Sequence, residues 1–469
     1  MELLKNKRIL FIYGHGGTEN LTLSISKELE SRWQTKSYFS GGSKGGDQFL
    51  IKQGISPENI NTMVFNDLIK EYLKPDIEFI RKSEEKYGFN CWDIWQISAP
   101  REKKRLKYTS DKVLYLMEYY IRGYENCIQQ FKPDYLLFYG VASFAGVILY
   151  KVLLHHKIKV LEIVNSRIPN RFTINDNLKN EWPLLVKEYN QLKKRNLSPE
   201  EIKTAEEFIT CFQEKGFKPD GVGKRKTSFK KIFVKYFNYL KVLTYRKQLP
   251  DLRQFTWPLT KKLLDYSGTF EFPKKGEKYV YFPLHVNPEV STSYYGKWYV
   301  NQLELIENIS RSIPADYMLY VKEHPFSYSS RPFYFRKQIK KFPNVRLISP
   351  HANSMELTKR SSLVLTITGT TGWEAILLQK PVMTFGDVYY NLFDEVTKVR
   401  DIRKLPLQIN SQLDLITDKN KTLKFVTSVF NSTFPGMGVM LDNCVESLNK
   451  ENISLVVDGI EKYIKQSNL

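Results

Sequence analysis

Short apolar runs alternate with longer amphipathic runs along the first half of the chain. The apolar, strand-length runs are Arg8 to Tyr13, Tyr135 to Tyr139 and Lys159 to Val164. Helical periodicity marks segments such as Glu19 to Trp33 and Asp111 to Gln130 between them. Strands that alternate with helices predict a parallel sheet covered by helices on both faces. The N-terminal half is therefore predicted to be a Rossmann-like α/β domain.

The same alternation continues in the second half. Ser361 to Ile367 is apolar and β-branched, and a Gly/Thr turn leads from it into the apolar-periodic run Thr371 to Gln379, which Pro381 ends. This pattern predicts a strand, a loop and a helix, with the loop at the helix N-terminus. Apolar residues at helical spacing from Leu441 onward predict a final helix that completes the fold.

Two predicted strand ends carry groups suited to a phosphate. The amide groups and positive dipole end of a helix N-terminus attract anions, and the loop before this helix adds threonine hydroxyls. Ligands of open α/β sheets collect at the carboxyl ends of strands, so we predict one phosphate pocket from both ends. Glu374, one turn into the helix, is predicted to take a ribose hydroxyl. The predicted phosphate-binding residues are Lys322, His324, Pro325, Thr368, Gly369, Thr370 and Thr371.

Each of these pieces also has an ordinary structural explanation. A Thr/Gly turn before a helix is common as plain N-capping. Pro325 can simply end a strand, and Glu374 can be a solvated helix residue. The order and spacing of the two strand ends favour the ligand site over these separate explanations.

Several of these segments together resemble the bacterial capsule polysaccharide biosynthesis family, which includes transferases of the acidic sugar Kdo. The resemblance covers roughly residues 278 to 395, and it implies a GT-B glycosyltransferase with two Rossmann-like domains facing across a cleft. It also implies that the C-terminal half binds the activated sugar, with His324 and the hydroxyl-rich loop on the phosphate. The segments are Tyr279 to Glu289, Lys322 to Pro325, Pro343 to Ile348, and the series from Thr368 to Gly386.

One pair of positions departs from that family. Its Kdo transferases tend to carry Gln-x-x-x-Asp after the first strand of the C-terminal domain, with the Asp acting at the anomeric carbon. Here His285 and Glu289 occupy the matching positions, and we predict both as catalytic residues. A Glu supplies the required carboxylate, but its longer arm moves the oxygen by about 1.5 Å, a large shift for reactive geometry. The donor sugar and the stereochemical outcome stay open, and Glu289 can instead cap the following turn.

The N-terminal half offers further candidates. His15 lies in the Gly-His-Gly-Gly turn after the first strand and is predicted as a general base near neutral pH. Glu162, Arg167 and Arg171 suit an acidic sugar or phosphate through bidentate hydrogen bonds, so we predict that they bind the acceptor or the sugar. The alternatives are a His15 that contacts nothing and a surface ion pair between Glu162 and Arg167, which contributes little.

Length and composition define the predicted domains. A chain of 469 residues is long enough for two domains with proper cores, and 42% hydrophobic with 26% charged residues is a soluble globular composition. We predict an N-terminal acceptor domain over 1–265, a nucleotide-sugar domain over 266–440 and a helical segment over 441–469. The resemblance alone implies that this last segment packs back toward the first domain.

The formal net charge of +21 is concentrated in one segment. Between Gly223 and Lys262, twelve basic residues and one acid alternate with Phe and Tyr. Such a helical insertion suits the anionic inner face of the plasma membrane, where each Lys or Arg contributes about 1 kcal/mol. An ordinary solvated helix is the alternative. No nucleic-acid-binding motif accompanies the charge, so we predict no nucleic-acid partner.

Other features concern location and metals. The four cysteines have no paired or metal-type spacing, which favours a reducing compartment. No secretory signal opens the chain, and the longest uncharged run, Tyr135 to Tyr150, is shorter than the ~20 residues of a membrane-spanning helix. We predict a cytoplasmic protein, with peripheral membrane contact through the basic segment. No Asp-x-Asp motif is present, so neither a metal nor a cofactor is predicted, the nucleotide-sugar being a substrate.

These features together predict a glycosyltransferase of surface-polysaccharide assembly. Its first candidate donor is CMP-Kdo or a related CMP-activated acid, and its acceptor is a glycan or glycolipid. An enzyme of the same architecture that uses a UDP-sugar, as a transferase or an epimerase, is the first alternative. A non-catalytic capsule-assembly factor that binds membrane and glycan is the second.

Overall fold

A computed structural model gives the fold of most of the chain. It describes residues 3–13, 18–41, 44–63, 74–98, 108–140, 143–216, 264, 267–325, 327, 331–439 and 445–467. The basic segment 223–262 and His15 therefore lie outside the described residues.

The first sheet has seven strands in the order β13-β6-β5-β4-β1-β2-β3. Strands β1 to β5 are parallel, and β6 and β13 pair antiparallel at one edge. The inner order 3-2-1-4-5 is that of a Rossmann-like half. The strands are Arg8–Tyr13 (β1), Lys36–Gly41 (β2), Ile60–Thr62 (β3), Tyr135–Phe138 (β4), Lys159–Asn165 (β5), Arg171–Asn175 (β6) and Phe434–Pro435 (β13).

Helices accompany this sheet as the periodicity predicts. The uncharged run that begins at Tyr135 forms β4 and then a helix that starts after Ser143, whose hydroxyl accepts from the Gly146 amide at 3.2 Å. This run is therefore a buried strand, loop and helix. The helices before residue 217 are Thr18–Trp33 (α1), Lys44–Lys52 (α2), Ile77–Tyr87 (α3), Cys91–Ser98 (α4), Ser110–Phe131 (α5), Phe144–His155 (α6), Pro183–Leu192 (α7) and Pro199–Lys215 (α8).

The second sheet has six parallel strands in the order β12-β11-β10-β7-β8-β9. Counted from β7, this is the Rossmann order 3-2-1-4-5-6. The strands are Tyr279–Pro283 (β7), Met318–Lys322 (β8), Val345–Ile348 (β9), Leu363–Thr366 (β10), Val382–Thr384 (β11) and Val396–Lys398 (β12). The predicted fold class, two Rossmann-like α/β halves of the GT-B type, is confirmed.

The strand order locates a crevice in the second half. The chain moves from β7 to β8 and β9 on one side, then returns to β10 on the other side, so the sheet switches direction between β7 and β10. Ligands bind outside the carboxyl ends of strands at such a point. The helices of this half are Val290–Ser293 (α9), Gln302–Ser310 (α10), Phe333–Ile339 (α11), Ser354–Arg360 (α12), Thr370–Leu377 (α13), Leu405–Leu413 (α14), Lys419–Asn431 (α15) and Lys450–Gln466 (α16).

The chain crosses between the two sheets in both directions. Helix α16 packs against α1, where Arg32 pairs with Asp458 at 2.6 Å. Helices α7 and α8 follow the first sheet in the sequence but pack on the second. Their residues Leu185, Tyr189 and Phe212 share a core with the helices of the second sheet. This packing puts 183–215 on the second sheet, although the predicted boundary at 265 assigned these residues to the first domain. None of the helices in the described ranges combines the length and apolarity needed to cross a membrane.

Candidate active site

The crevice beside β7 and β10 is a cavity of about 440 Å³. It brings together residues from five stretches of the sequence, one of them in the N-terminal half. Predicted residues that line the cavity are Arg167, His285, Glu289, Lys322, His324, Pro325, Thr368, Gly369, Thr370, Thr371 and Glu374.

Lys322 brings a buried positive charge to this cavity. It is the last residue of β8 and only 4% exposed. Its Nζ donates to the carbonyl oxygens of Pro350 at 3.1 Å and Glu323 at 3.5 Å. Among the described side chains, no carboxylate forms an ion pair with this ammonium group, and its burial lowers the pKa of Lys322. An ammonium held only by carbonyl groups attracts an anion that enters the cavity.

The loop from Thr368 to Thr371 is held against His285. The Thr368 amide donates to His285 Nε2 at 3.3 Å, and the Thr368 hydroxyl donates to the Ser291 carbonyl at 3.1 Å. The hydroxyl of Thr368 is thus used inside the protein, whereas the first amide groups of α13 have no partner within their helix. An anion at this loop would therefore be bound mainly by the N-terminus of α13, the helix that starts at Thr370.

Gly369 allows this close approach. A Cβ at this position would lie 2.7 Å from Thr366 Oγ1 and 3.1 Å from His285 Nε2. Its amide donates to Thr366 Oγ1 at 3.0 Å, and its carbonyl accepts the Tyr390 hydroxyl at 2.5 Å. A side chain would push the loop away from β7, so glycine is required by packing rather than by an unusual φ.

His285 is placed to hold the loop. It is 8% exposed, its amide donates to Gln302 Oε1 at 2.8 Å, and its carbonyl accepts from Gln302 and Arg331. Because its Nε2 accepts the Thr368 amide, we assign the proton to Nδ1. Burial, with the charges of His324 and Arg331, lowers the pKa of His285 to about 4. This geometry favours a positioning role over the predicted catalytic one.

The buried ion pair between Glu323 and Arg331 holds the backbone of His324 in place. Glu323 is fully buried, and its Oε1 accepts from Arg331 Nε at 2.8 Å and from the His324 amide at 2.9 Å. Arg331 therefore links the loop after β7, through the His285 carbonyl, to the loop after β8. Burial, with the charges of Lys322 and Arg331, lowers the pKa of His324 to about 4. The imidazole that lines the cavity is thus neutral at pH 7.

Glu374 and Arg167 both line the cavity. Burial raises the pKa of Glu374, while the Thr370 hydroxyl and the charge of Arg167 act in the opposite direction. Arg167 is exposed and follows β5 of the first sheet. The N-terminal half thus contributes a cation to a cavity formed mainly by the C-terminal half.

Glu289 is an exposed carboxylate at the start of the short helix α9. Its Oε2 accepts the Ser291 hydroxyl at 3.2 Å, and its amide donates to Thr292 Oγ1 at 3.3 Å. The capping arrangement anticipated as an alternative is therefore present, and the side chain also lines the cavity. Both uses are compatible, because only one carboxylate oxygen is engaged by Ser291.

A second cavity of about 310 Å³ adjoins the first. The two share Arg167, Ser291 and the loop from Thr368 to Thr370. Glu162 lies in this second cavity, where it is 5% exposed and accepts from Asn175 Nδ2 at 2.8 Å. Its wall also includes Trp182, which stacks on Tyr389 with ring centroids 3.9 Å apart.

Arg171 does not join either cavity. Its guanidinium donates to Thr433 Oγ1 at 2.8 Å and to the carbonyls of Phe430 and Thr433, which ties β6 to the returning C-terminal segment. The predicted contact of Arg171 with an acceptor sugar is replaced by this structural role. Within the described ranges, no group of three or more His, Cys, Asp or Glu side chains is arranged to hold a metal ion.

No sequence pattern indicated the residues that hold the cavity in shape. Gln302, Arg331 and Tyr390 each bond to a predicted site residue from 17 to 46 positions away. Glu323 lies inside the motif from Lys322 to Pro325. No spacing rule predicts contacts between residues so far apart in the sequence. For Glu323 a signal was present, because it is a polar residue beside His324 at the end of an otherwise apolar strand.

We expect acid to destabilise the protein through His285. Its pKa falls from 6.5 to about 4 on folding, so below pH 6.5 the unfolded chain takes up a proton that the folded chain refuses. The free energy of unfolding should therefore fall between pH 7 and 5, by about 2 kcal/mol from this residue. Urea unfolding at both pH values measures this loss, which should be correspondingly smaller in His285→Asn. Equal losses in the two proteins would contradict the assignment.

One known family matches part of the chain. The family described as capsule polysaccharide biosynthesis protein matches residues 235–403. The protein FixF of Sinorhizobium fredii is 33% identical over 134 residues, which are 27% of this chain and 31% of FixF. The match thus spans less than a third of the length of that relative.

Solved structures with a similar fold include three enzymes. The Thermosulfurimonas dismutans KpsC β-Kdo 2,7 transferase is 13% identical, with 73% of this chain and 89% of that chain covered and a TM-score of 0.39. A Rickettsia africae glycosyltransferase is 13% identical, with 98% of each chain covered and a TM-score of 0.32. The Neisseria meningitidis UDP-GlcNAc 2-epimerase, bound to UDP-GlcNAc, is 14% identical, with 90% of this chain and 98% of that chain covered and a TM-score of 0.29.

The resemblance predicted over roughly 278 to 395 falls inside the matched residues, so the family prediction is confirmed there. The cavity residues after β7, β8 and β10 all lie within the same stretch. Residues 235–403 of the chain are therefore similar to the capsule polysaccharide biosynthesis family.

Proposed function

We propose that this protein is a glycosyltransferase of surface or capsular polysaccharide biosynthesis that uses a nucleotide-sugar donor. One observation carries the proposal: the buried ammonium group of Lys322, the imidazole of His324 and the N-terminus of α13 line one cavity at the switch point of the second sheet. Such a set of donors suits a phosphate. The similarity of residues 235–403 to the capsule polysaccharide biosynthesis family supports the same class of reaction.

In the proposed reaction, the bond between the anomeric carbon and the phosphate oxygen breaks, and its electron pair stays on the phosphate. Lys322 and the amides of α13 stabilise the charge that develops there, which is the electrostatic part of catalysis. The acceptor hydroxyl forms the new bond to the anomeric carbon and gives up its proton. Glu289 supplies the carboxylate, either as the base for that proton or as a nucleophile in a preceding step.

CMP-Kdo or a related CMP-activated acid is the first candidate donor, because the sequence resembles a family that includes Kdo transferases. Arg167 beside the cavity suits the carboxylate of such a sugar. Glu374, half-buried one turn into α13, is proposed to accept a ribose hydroxyl. A glycan or lipid-linked sugar is the proposed acceptor, bound toward the N-terminal half.

A thermal-shift titration with CMP and UDP tests the proposal. A nucleotide that binds the folded protein at 100 times its Kd stabilises it by about 2.7 kcal/mol, and we expect CMP to raise Tm more than UDP. A larger shift with UDP would favour a UDP-sugar enzyme. If neither nucleotide raised Tm, the donor-binding function would be wrong and a non-catalytic assembly factor would be favoured.

The variant His324→Ala should lower kcat for CMP-Kdo about 30-fold and leave the Tm of the free protein nearly unchanged. A neutral imidazole donates one hydrogen bond to the leaving phosphate, and loss of such a donor lowers the rate by this order. Turnover is measured as CMP release by mass spectrometry. Unchanged turnover in a folded variant would remove His324 from the site.

Contact with the membrane is also a proposal from the sequence. The basic segment 223–262 suits anionic lipid, and lipid-linked precursors would be reached there. Replacing Lys230, Lys231 and Lys235 with Glu should weaken binding to phosphatidylserine vesicles, and equal binding would rule the contact out.

A further inference from the structure

A third cavity, of about 450 Å³, lies where the two halves meet. The N-terminal half contributes the loop after α3 and the end of α6, including Phe89, Tyr150 and Leu154. The C-terminal half contributes Tyr294 and Tyr295, which follow α9.

The three cavities form a series. The first and second share Arg167 and the loop from Thr368 to Thr370, and the second and third share Tyr295. The loop from Thr368 to Thr371, called the phosphate loop below, lies at the first cavity. A molecule that extends from the phosphate loop through the second cavity therefore approaches the third. The third cavity shares no lining residue with the first and forms the other end of the series.

The lining of the third cavity combines aromatic rings with polar groups. The rings of Tyr294 and Tyr295 are half-buried and meet edge to face, with centroids 5.2 Å apart. Asn90, Asp93 and Lys179 supply exposed polar groups around them. Aromatic faces cover the C–H side of a pyranose ring, and amide, carboxylate and ammonium groups bond its hydroxyls, so the lining suits a sugar.

Two details support an occupant of that chemistry. The phenol of Tyr294 is protonated near neutral pH and can donate a hydrogen bond; burial, followed by the neighbouring Tyr150 and Asp93, raises its pKa further. Leu154 is 54% exposed on the cavity wall, an apolar surface suited to the C–H face of a sugar ring. Lys297 pairs with Asp93 at 2.8 Å across the rim, which joins the two halves around the cavity.

We propose that the third cavity binds a sugar residue of the acceptor glycan and thereby selects which glycan is extended. This inference rests on the proposed function, since it takes the phosphate loop as the donor end of the series. The acceptor runs from the third cavity toward the second, where its hydroxyl meets the anomeric carbon of the donor.

Filling the third cavity tests the inference. The variant Leu154→Trp places an indole in the cavity, and Lys179→Trp does so from a different part of the lining. The matched control is Leu407→Trp, because Leu407 is 74% exposed on α14 and lines none of the three cavities. An array of bacterial surface oligosaccharides is probed with the full chain in the presence of CMP, and the tightest oligosaccharide is titrated by calorimetry.

We expect both filling variants to bind that oligosaccharide at least about tenfold more weakly than wild type, a loss of about 1.4 kcal/mol. The control should bind within twofold of wild type, and CMP should raise Tm equally in all proteins. Equal binding by the filling variants and the control would overturn the inference. So would a wild-type protein that binds no oligosaccharide while CMP still raises its Tm. If CMP raised no Tm but the filling variants still lost the oligosaccharide, the proposed donor function would fail and the third cavity would remain a glycan site.

Discussion

The variant Lys322→Met is expected to lower kcat for the donor about 10³-fold without loss of stability. Removal of one preorganised group that stabilises the leaving phosphate costs about 3 to 4 kcal/mol in the transition state. In the free protein, the same ammonium group is buried and held by two carbonyls without a carboxylate partner. Its replacement by an apolar chain of similar length should therefore be neutral or stabilising.

Lys380→Met is the matched control for this variant. Burial also lowers the pKa of Lys380, but that residue does not line the cavity. We expect it to keep wild-type turnover and a similar Tm. CMP release and thermal melts of both variants measure the two effects. Full turnover in the Lys322→Met variant would contradict the proposed phosphate-binding site. A much lower Tm of that variant would contradict the view that Lys322 serves ligand binding at the expense of stability.

The second large effect is expected for Glu289→Gln, which should lower kcat about 10³-fold while CMP still raises Tm as in wild type. The amide keeps the shape of the side chain and an oxygen that accepts the Ser291 hydroxyl, but it is neither a base nor an effective nucleophile. Donor binding should survive because Lys322, His324 and α13 are untouched.

Glu162→Gln provides the comparison, because Glu162 is the buried carboxylate of the second cavity. Because the sequence predicts that Glu162 binds the sugar, the Glu162→Gln variant is expected to raise KM about tenfold and to change kcat little. The reverse pattern, with kcat lost in Glu162→Gln and kept in Glu289→Gln, would transfer the catalytic role to Glu162. Steady-state kinetics with CMP-Kdo and an acceptor separates the two outcomes.

Strand positions were predictable because burial on both faces leaves a clear apolar run. The first strand, Arg8–Tyr13, matches its prediction at both ends, and the strand, loop and helix around Thr368 lie within a few residues of theirs. The final helix begins at Lys450 rather than near Leu441. Its apolar spacing was correct, but the start depends on Asn449, whose side chain accepts from the Asn452 amide.

The candidate cavity was predictable for a different reason. Its donors are placed at strand ends, and parallel strands bring their carboxyl ends to one edge of the sheet. Lys322, His324 and the Thr368 loop therefore meet although they are far apart in sequence. The contacts that hold them could not be predicted in the same way, because Arg331 and Gln302 reach His285 through side chains whose direction no periodicity reveals.

The domain boundary could not be read from the sequence either. Composition shows no linker between the halves, and α7 and α8 carry ordinary amphipathic patterns that do not reveal which sheet they cover. Trp182 decides the question in the structure, because it stacks on Tyr389 beside the second sheet.

The return of the last helix to the first sheet makes the amino-terminal half dependent on the carboxyl terminus. A chain cut before Lys450 would uncover the faces of Leu21, Ile25 and Phe172 that α16 protects, although all three residues lie far earlier in the sequence. During synthesis, this apolar surface of the first sheet therefore stays exposed until α16 has been made and has packed on it. Loss of the final helix should therefore cause aggregation through the uncovered surface of the N-terminal half, although the deleted residues lie at the other end of the sequence.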